Sequence, residues 1–400
     1  MSKVEKKLKN LELKFKELYD VFEDRNKYHK SLDNLMDKLE ENIEKDKELA
    51  AKIDATYIRS VFEINVFNQI RGKDSKSQFY TTVENVFSTK EYFYYFHLSK
   101  LNNFPDEYKL GYGVVKKWDS LPEEVKNECQ RVMILNESPY PMIDDTTWRR
   151  LSAENKIIFN SPHIGQWLEI SIIGVLGPNM QEEAFRKAEL SLDFLRLLLF
   201  SGAVEPVSYP VIYDPKSNKV NLGGSISFTS GIDYIGDIRE RGYDETIIRL
   251  NKLIDNPSKI EKRIIQALNF LRIGDYISEK QNKIFYYAAG IEKMILDNEP
   301  EISYKFSTRG AFLLENNSEE RQIIFNNLKD VYKKRSEVAH GSVIEYDHQL
   351  TNKSKYYLKN MIKQLIKIID ENGLIDVKKS GDKKTLLNYV EQKMFPKDEK

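Results

Sequence analysis

No glycine or proline occurs in the first 71 residues, so nothing in that stretch forces the backbone out of a helix. Its apolar residues recur in alternating steps of four and three: Val4, Leu8, Leu11, Phe15, Leu18, Phe22, then Leu32, Met36, Leu39, Ile43, Ala50, Ile53 and Tyr57. That is the heptad repeat of a coiled-coil seam, with Lys and Glu filling the outer positions. A coiled-coil helix is therefore expected over residues 1–71. Arg25, His29 and Asp46 also fall on the seam, and Arg25 with His29 weakens its middle. They mark a register-setting site or the bend of a helical hairpin; for His29, a tolerated polar seam residue is the plainer reading. A seam of this length needs a partner. The options are a second copy, the body of the same protein, or a helix of another protein.

From Gly72 to about Ser258 the period changes. Leu168, Ile170 and Ile172 alternate with Glu169 and Ser171, and Val220, Leu222, Ile226 and Phe228 alternate around a Gly223-Gly224 interruption. These read as strands, the second with a bulge or bend. Asp214-Pro-Lys-Ser-Asn218 follows Val211-Ile-Tyr213 and predicts a hairpin or tight loop. Ala184, Ala188, Leu192, Leu195 and Leu199 sit at helical steps within 180–200 and predict a helix across the sheet. Residues 72–258 are thus expected to form an α+β middle domain. The aromatic-rich stretch from Phe79 to Phe104 offers base-stacking surfaces, but core filling and strand propensity explain it at least as well.

Lys plus Arg and Asp plus Glu balance at 62 each, so the chain has no overall field to attract nucleic acid. Any RNA binding must come from a local basic patch. The single cysteine, Cys129, excludes an intramolecular disulfide and a cysteine-based zinc site, and it fits the reducing cytoplasm. No run of about 18 apolar residues is present, and the Lys-rich and Glu-rich start lacks the apolar centre of a secretory signal. His97 and His163 have no partner at metal-ligand spacing, Asp144-Asp145 reads as a surface turn, and Gly111-Tyr-Gly113 is too short for a nucleotide fingerprint. No cofactor and no metal are expected.

Chemistry concentrates in Tyr332-Lys-Lys-Arg335-Ser336-Glu-Val-Ala-His340-Gly341-Ser342. Gly341 is suited to the left-handed residue that ends a helix, which puts His340 at the negative helix end, where imidazolium is favoured. A step of five residues turns about 140° and rises roughly 7.5 Å, so Arg335 and His340 do not share a face. Arginine forks two hydrogen bonds onto a phosphate; histidine moves a proton near neutral pH. A helix-end histidine satisfied by a carbonyl, with Arg335 in a surface ion pair, is the bland alternative.

The surrounding sequence resembles the Apea-like branch of the HEPN domains, helical proteins that include RNA-cleaving toxins and antiviral nucleases. The likeness runs from about Ile260 to about Glu391. It passes through Arg263-Ile-Ile-Gln-Ala-Leu-Asn-Phe-Leu271, Lys283-Ile-Phe-Tyr-Tyr-Ala-Ala-Gly-Ile-Glu292-Lys-Met-Ile-Leu296, Phe306-Ser-Thr-Arg309-Gly-Ala-Phe-Leu-Leu314 and Glu320-Arg321 to the Tyr332 segment. The resemblance implies that Arg335 and His340 are the catalytic pair and that Glu292 supports Arg335. Ser336 stands where many active relatives carry Asn, Asp or His. It further implies endoribonuclease action without metal, by attack of the RNA's own 2′-hydroxyl, at a site shared between two bundles of a homodimer or larger even oligomer.

Helices over Tyr356–Ile369 and Thr385–Met394, separated at Gly373, would complete that bundle. The whole then reads as an α+β multidomain, mostly helical chain: a coiled coil over 1–71, an α+β middle domain over 72–258, an all-α HEPN bundle over 259–394 and a frayed tail over 395–400. The expected protein is a cytoplasmic antiviral or toxin ribonuclease with RNA as substrate, no membrane partner and a further protein partner for the coil. The rival reading is an inactive HEPN module that dimerises, holds RNA or recruits a partner. A purely structural coiled-coil scaffold is a third.

Overall fold

The computed structural model describes residues 3–22, 24–46, 49, 53, 55–62, 75–87, 90–98, 105, 107–128, 166–174, 178–198, 210–216, 218–222, 244–254, 256–297, 301–341, 345–377 and 384–395. The described chain is mostly helical, with one antiparallel sheet in its middle.

The heptad run does not form one continuous helix. It is divided between α1 (Lys3–Lys16) and α2 (Arg25–Lys45), with a 3-10 turn at Glu17–Val21 between them. Asp24 makes the restart: its backbone is extended, and its carboxylate accepts the Lys27 N–H at 3.2 Å, so α2 begins on a side-chain cap. Val4, Leu8, Leu11, Phe15, Leu18, Leu32, Met36, Leu39 and Ile53 are all buried as the period requires, but against residues of the same N-terminal region. That core includes α3 (Ala55–Ser60) and α4 (Ser75–Phe87), with Phe15 ringed by Phe62 and Phe87. At the restart the buried position shifts by one residue. Tyr28 goes inside and donates to the Phe62 carbonyl at 3.0 Å, leaving Arg25 exposed and His29 half-exposed. The seam's apolar face is thus covered within its own chain.

The sheet runs in the order β2-β3-β4-β1-β5-β6, all neighbours antiparallel: β1 (Lys90–Leu98), β2 (Tyr108–Leu110), β3 (Gly113–Lys116), β4 (Gln166–Gly174), β5 (Val211–Asp214) and β6 (Lys219–Leu222). β4 and the β5–β6 hairpin lie where the alternation and the Asp214–Asn218 turn place them; Gly223, Gly224 and Phe228 fall outside the described residues, as do Asp144, Asp145 and His163. Alternation on β1 sends Tyr94, Phe96 and Leu98 to one face and Tyr95 to the other. The first face packs on α5 (Pro178–Leu198), and the second covers Trp167, Leu121 and Val125. The aromatics Tyr92, Tyr94, Tyr95 and Phe96 are core residues.

The C-terminal helices are α6 (Asp244–Leu253), α7 (Lys259–Tyr276), α8 (Lys283–Ile295), α9 (Ile302–Leu314), α10 (Ser318–Ala339), α11 (His348–Asn372) and α12 (Leu386–Met394). Their ends are chemically marked. Ser258 and Glu261 form a reciprocal capping box; Asn317, Asp347 and Thr385 each accept a backbone N–H of the helix they open. Gly373 closes α11 in the left-handed conformation. α8 runs through the centre, its Ile284, Ala288, Ile291 and Ile295 fully or nearly fully buried.

Middle region and bundle share one apolar core, continuous from β1 and β4 through α5 to α7, α8 and α11. A buried charge network reinforces the join. Arg196 on α5 reaches Asp193 at 2.5 Å and donates to the Tyr276 hydroxyl; Arg272 on α7 contacts Glu189 and lies 3.8 Å from Asp193. Burial outweighs the pull of the two guanidiniums and leaves the Asp193 carboxyl raised to about 6, so it is ionised and paired at neutral pH. On either side of the boundary expected at 258, α6 and α7 are both helical and both contribute to this core.

Candidate functional site on the motif helix

α10 ends as the motif predicts. His340 is its last cap, with φ −89° and ψ 10°, and its backbone N–H donates to the Ser336 carbonyl at 3.1 Å. Gly341 follows at φ +74°, a value that favours glycine, and its N–H donates to the Val338 carbonyl at 3.0 Å. The His340 side chain is exposed and makes no hydrogen bond among the described residues. Ser342 lies outside them.

Arg335 faces inward onto α8. Its Nη2 lies 2.8 Å from Oε2 of Glu292, and its guanidinium carbon sits 5.3 Å from the Phe285 ring centre and 5.8 Å from that of Tyr332. Phe285 and Glu292 are seven residues apart, two helical turns, so one face of α8 presents both an aromatic plane and a carboxylate to one guanidinium. Tyr332 is set by Phe306 of α9, ring centres 5.2 Å apart, and burial followed by the nearby Glu292 charge pushes its hydroxyl up. The side chains of Arg335 and Glu292 are 23% and 25% exposed, so the pair is neither dry nor freely solvated. A charge pair in that setting positions more than it stabilises. Arg335 and Glu292 are brought together; His340 is five residues and about 140° further round, at the helix end. Within one chain the arginine and the histidine do not face one another.

A second polar cluster, which the sequence reading missed, lies where α7, α8 and α11 meet. Lys355 Nζ is 2.7 Å from Asp275 Oδ1, the Tyr287 hydroxyl donates to the same oxygen at 2.7 Å, and Lys283 Nζ donates to the Asp275 carbonyl at 3.1 Å. Lys359 stands one turn along α11. Burial, with Lys355 alongside, pushes its ammonium down to about 7, and burial pushes Lys283 and Lys363 down in the same direction. Phe285, which lies against Arg335 near the end of α10, is two residues from Lys283, so this cluster and the Arg335 contact adjoin at the start of α8. The available signal was Lys355, Lys359, Lys363 and Lys367 at four-residue steps on an amphipathic helix.

His97 is buried against Trp167, ring centres 4.9 Å apart, and desolvation holds its imidazole down at about 4. Among the described residues, no three His, Cys, Asp or Glu side chains gather as metal ligands, and no helix is long and apolar enough to cross a membrane. In comparisons with family models, curated proteins and solved structures, the chain has no significant match to any of them.

Proposed function

We propose that this chain is a metal-independent endoribonuclease of the HEPN type, built on Arg335 and His340 and working as a homodimer. The observation that carries the reading is the division of labour on α10: a guanidinium oriented by Glu292 and two aromatic rings, followed five residues later by an exposed, unbonded imidazole at the helix end. Because the two face different ways, a working site takes the arginine and histidine of two adjoining motifs, the sharing that the family resemblance implies.

In this mechanism the RNA 2′-hydroxyl loses its proton to one His340 and attacks the adjacent phosphorus. Arg335 neutralises the charge gathering on the non-bridging oxygens, a contribution of a few kcal/mol in comparable sites. The 5′-oxygen leaves with a proton from an imidazolium, giving a 2′,3′-cyclic phosphate and a 5′-hydroxyl end. Proton transfer of this kind contributes about 10²–10⁴-fold. Growth arrest by RNA cleavage, as a toxin or antiviral effector, is the biological role this chemistry suits.

The test is cleavage of total RNA by purified wild-type, Arg335→Ala, His340→Ala and double-variant proteins. Each single variant should lose nearly all activity, and the double should be little worse, because the two groups act on one phosphate. Full activity in His340→Ala overturns the proposal. The engagement of Arg335 with Glu292 also suits a second reading, an inactive bundle in which the pair is structural. That reading predicts RNA binding without cleavage by the wild-type protein.

A further inference from the structure

At the other end of α10, roughly 25 Å from His340 at 1.5 Å per residue, an open cleft of about 550 Å³ lies between α9, the first turns of α10 and α12. A smaller one of about 200 Å³ adjoins it between α9 and α12, and Thr308 lines both. The larger volume is in the range of sites that hold small organic ligands. Its walls are of two kinds. Tyr304, Phe312 and Phe325 provide flat apolar surface, with the Tyr304 and Phe325 rings edge to face at 6.1 Å. Arg321 and Lys393 provide two cations, and among the described residues no carboxylate lines the larger cleft.

Three details suggest a ligand site. Arg321 is already laid over the Phe312 ring at 4.2 Å and tied to the Asn316 carbonyl at 2.9 Å, so its guanidinium is held in place before any ligand arrives. Lys393 is held by the same residue, donating to the Asn316 side-chain oxygen at 3.1 Å. Thr308 is only 7% exposed, and its hydroxyl has no hydrogen-bond partner, an unusual state for a buried polar atom. Tyr304 meanwhile keeps 60% of its surface in solvent, an aromatic face left uncovered beside the cleft.

We propose that this cleft binds a small molecule with a flat aromatic body and one anionic group. The ring lies among Tyr304, Phe312 and Phe325, and the anion is held by Arg321 and Lys393. The ring's polar edge meets the Thr308 hydroxyl after a rotamer adjustment. A phosphate and a carboxylate present the same charge to these two cations, so the source of the anion is decided by experiment. The proposal does not rest on RNA cleavage; it concerns a separate site at the far end of the motif helix.

Titration calorimetry of the full chain with AMP, adenosine, indole-3-acetate and indole tests it. One anionic aromatic ligand should saturate at one site per chain, and its neutral counterpart should bind at least about tenfold more weakly, the usual scale for a hydrogen-bonded charge. Saturation by AMP alone assigns a phosphate ligand; saturation by indole-3-acetate alone assigns a carboxylate; saturation by both supports the general aromatic anion. Arg321→Gln should weaken binding about tenfold, and Tyr304→Ala, at a position 60% exposed, should weaken it as well. Binding by none of the four, equal binding of charged and neutral forms, or binding unaffected by both variants overturns the assignment.

Discussion

Arg335 is oriented by a single carboxylate, so Glu292 sets where its charge is delivered. Glu292→Gln keeps the shape and removes that charge; under the proposed mechanism cleavage should fall by up to about 100-fold while the unfolding midpoint hardly moves, because displacing the group on which that mechanism relies is costly and a partly exposed pair contributes little to stability. A kinetic assay beside a denaturation curve separates the two effects, and a large stability loss with unchanged activity would contradict the orienting role. His97 makes a different residue-scale prediction. It is neutral in the fold down to about pH 4, whereas the unfolded chain protonates near its ordinary value of 6.5. The unfolded state therefore binds more protons between those values, and stability is lost as pH falls through that window, about 2 kcal/mol between pH 7 and pH 5. His97→Phe removes this component. Its urea midpoint should depend less on pH than that of the wild type, and an identical dependence in both would refute the assignment.

At the scale of elements, α5 is joined to α7 by charge as well as by apolar contact. Asp193→Ala leaves Arg196 buried without its carboxylate and should cost about 3–5 kcal/mol, whereas the exposed pair Lys45–Glu41 should be removable for less than about 1 kcal/mol. Denaturant unfolding of the two variants checks the contrast. These elements also show what a sequence can reveal. Helices over 180–200 and 356–369 and the strand at 168–172 were legible because burial on one side imposes a period, and the ends of α10 and α11 were legible because Gly341 and Gly373 mark left-handed positions. The break in the heptad run was not. It depends on Asp24 capping a new helix, a signal no stronger than the same residue type in mid-helix, and on Tyr28 outcompeting His29 for the interior. The Arg335–Glu292 contact was named only through the resemblance, since residues 43 positions apart meet by packing that no local period encodes. The Asp275 and Lys359 cluster was hidden for the same reason.

Across the whole molecule, residues 3–87 have an apolar core of their own, separate from the one shared by sheet and bundle. A chain lacking residues 1–87 should therefore keep the cooperative unfolding of the remainder. The seam of α1 and α2 is already buried internally, so the truncated protein should also still dimerise, through the bundles that carry the motif. Light scattering at micromolar concentration tests both halves; a monomeric wild type would count against a shared site. The most direct test of the central claim is the chemistry of the RNA ends. Purified protein incubated with RNA in excess EDTA is predicted to leave 2′,3′-cyclic phosphates and 5′-hydroxyls, with Arg335→Ala and His340→Ala leaving the RNA intact. Cleavage that needs a divalent metal and leaves 5′-phosphates, or that persists in His340→Ala, would contradict it.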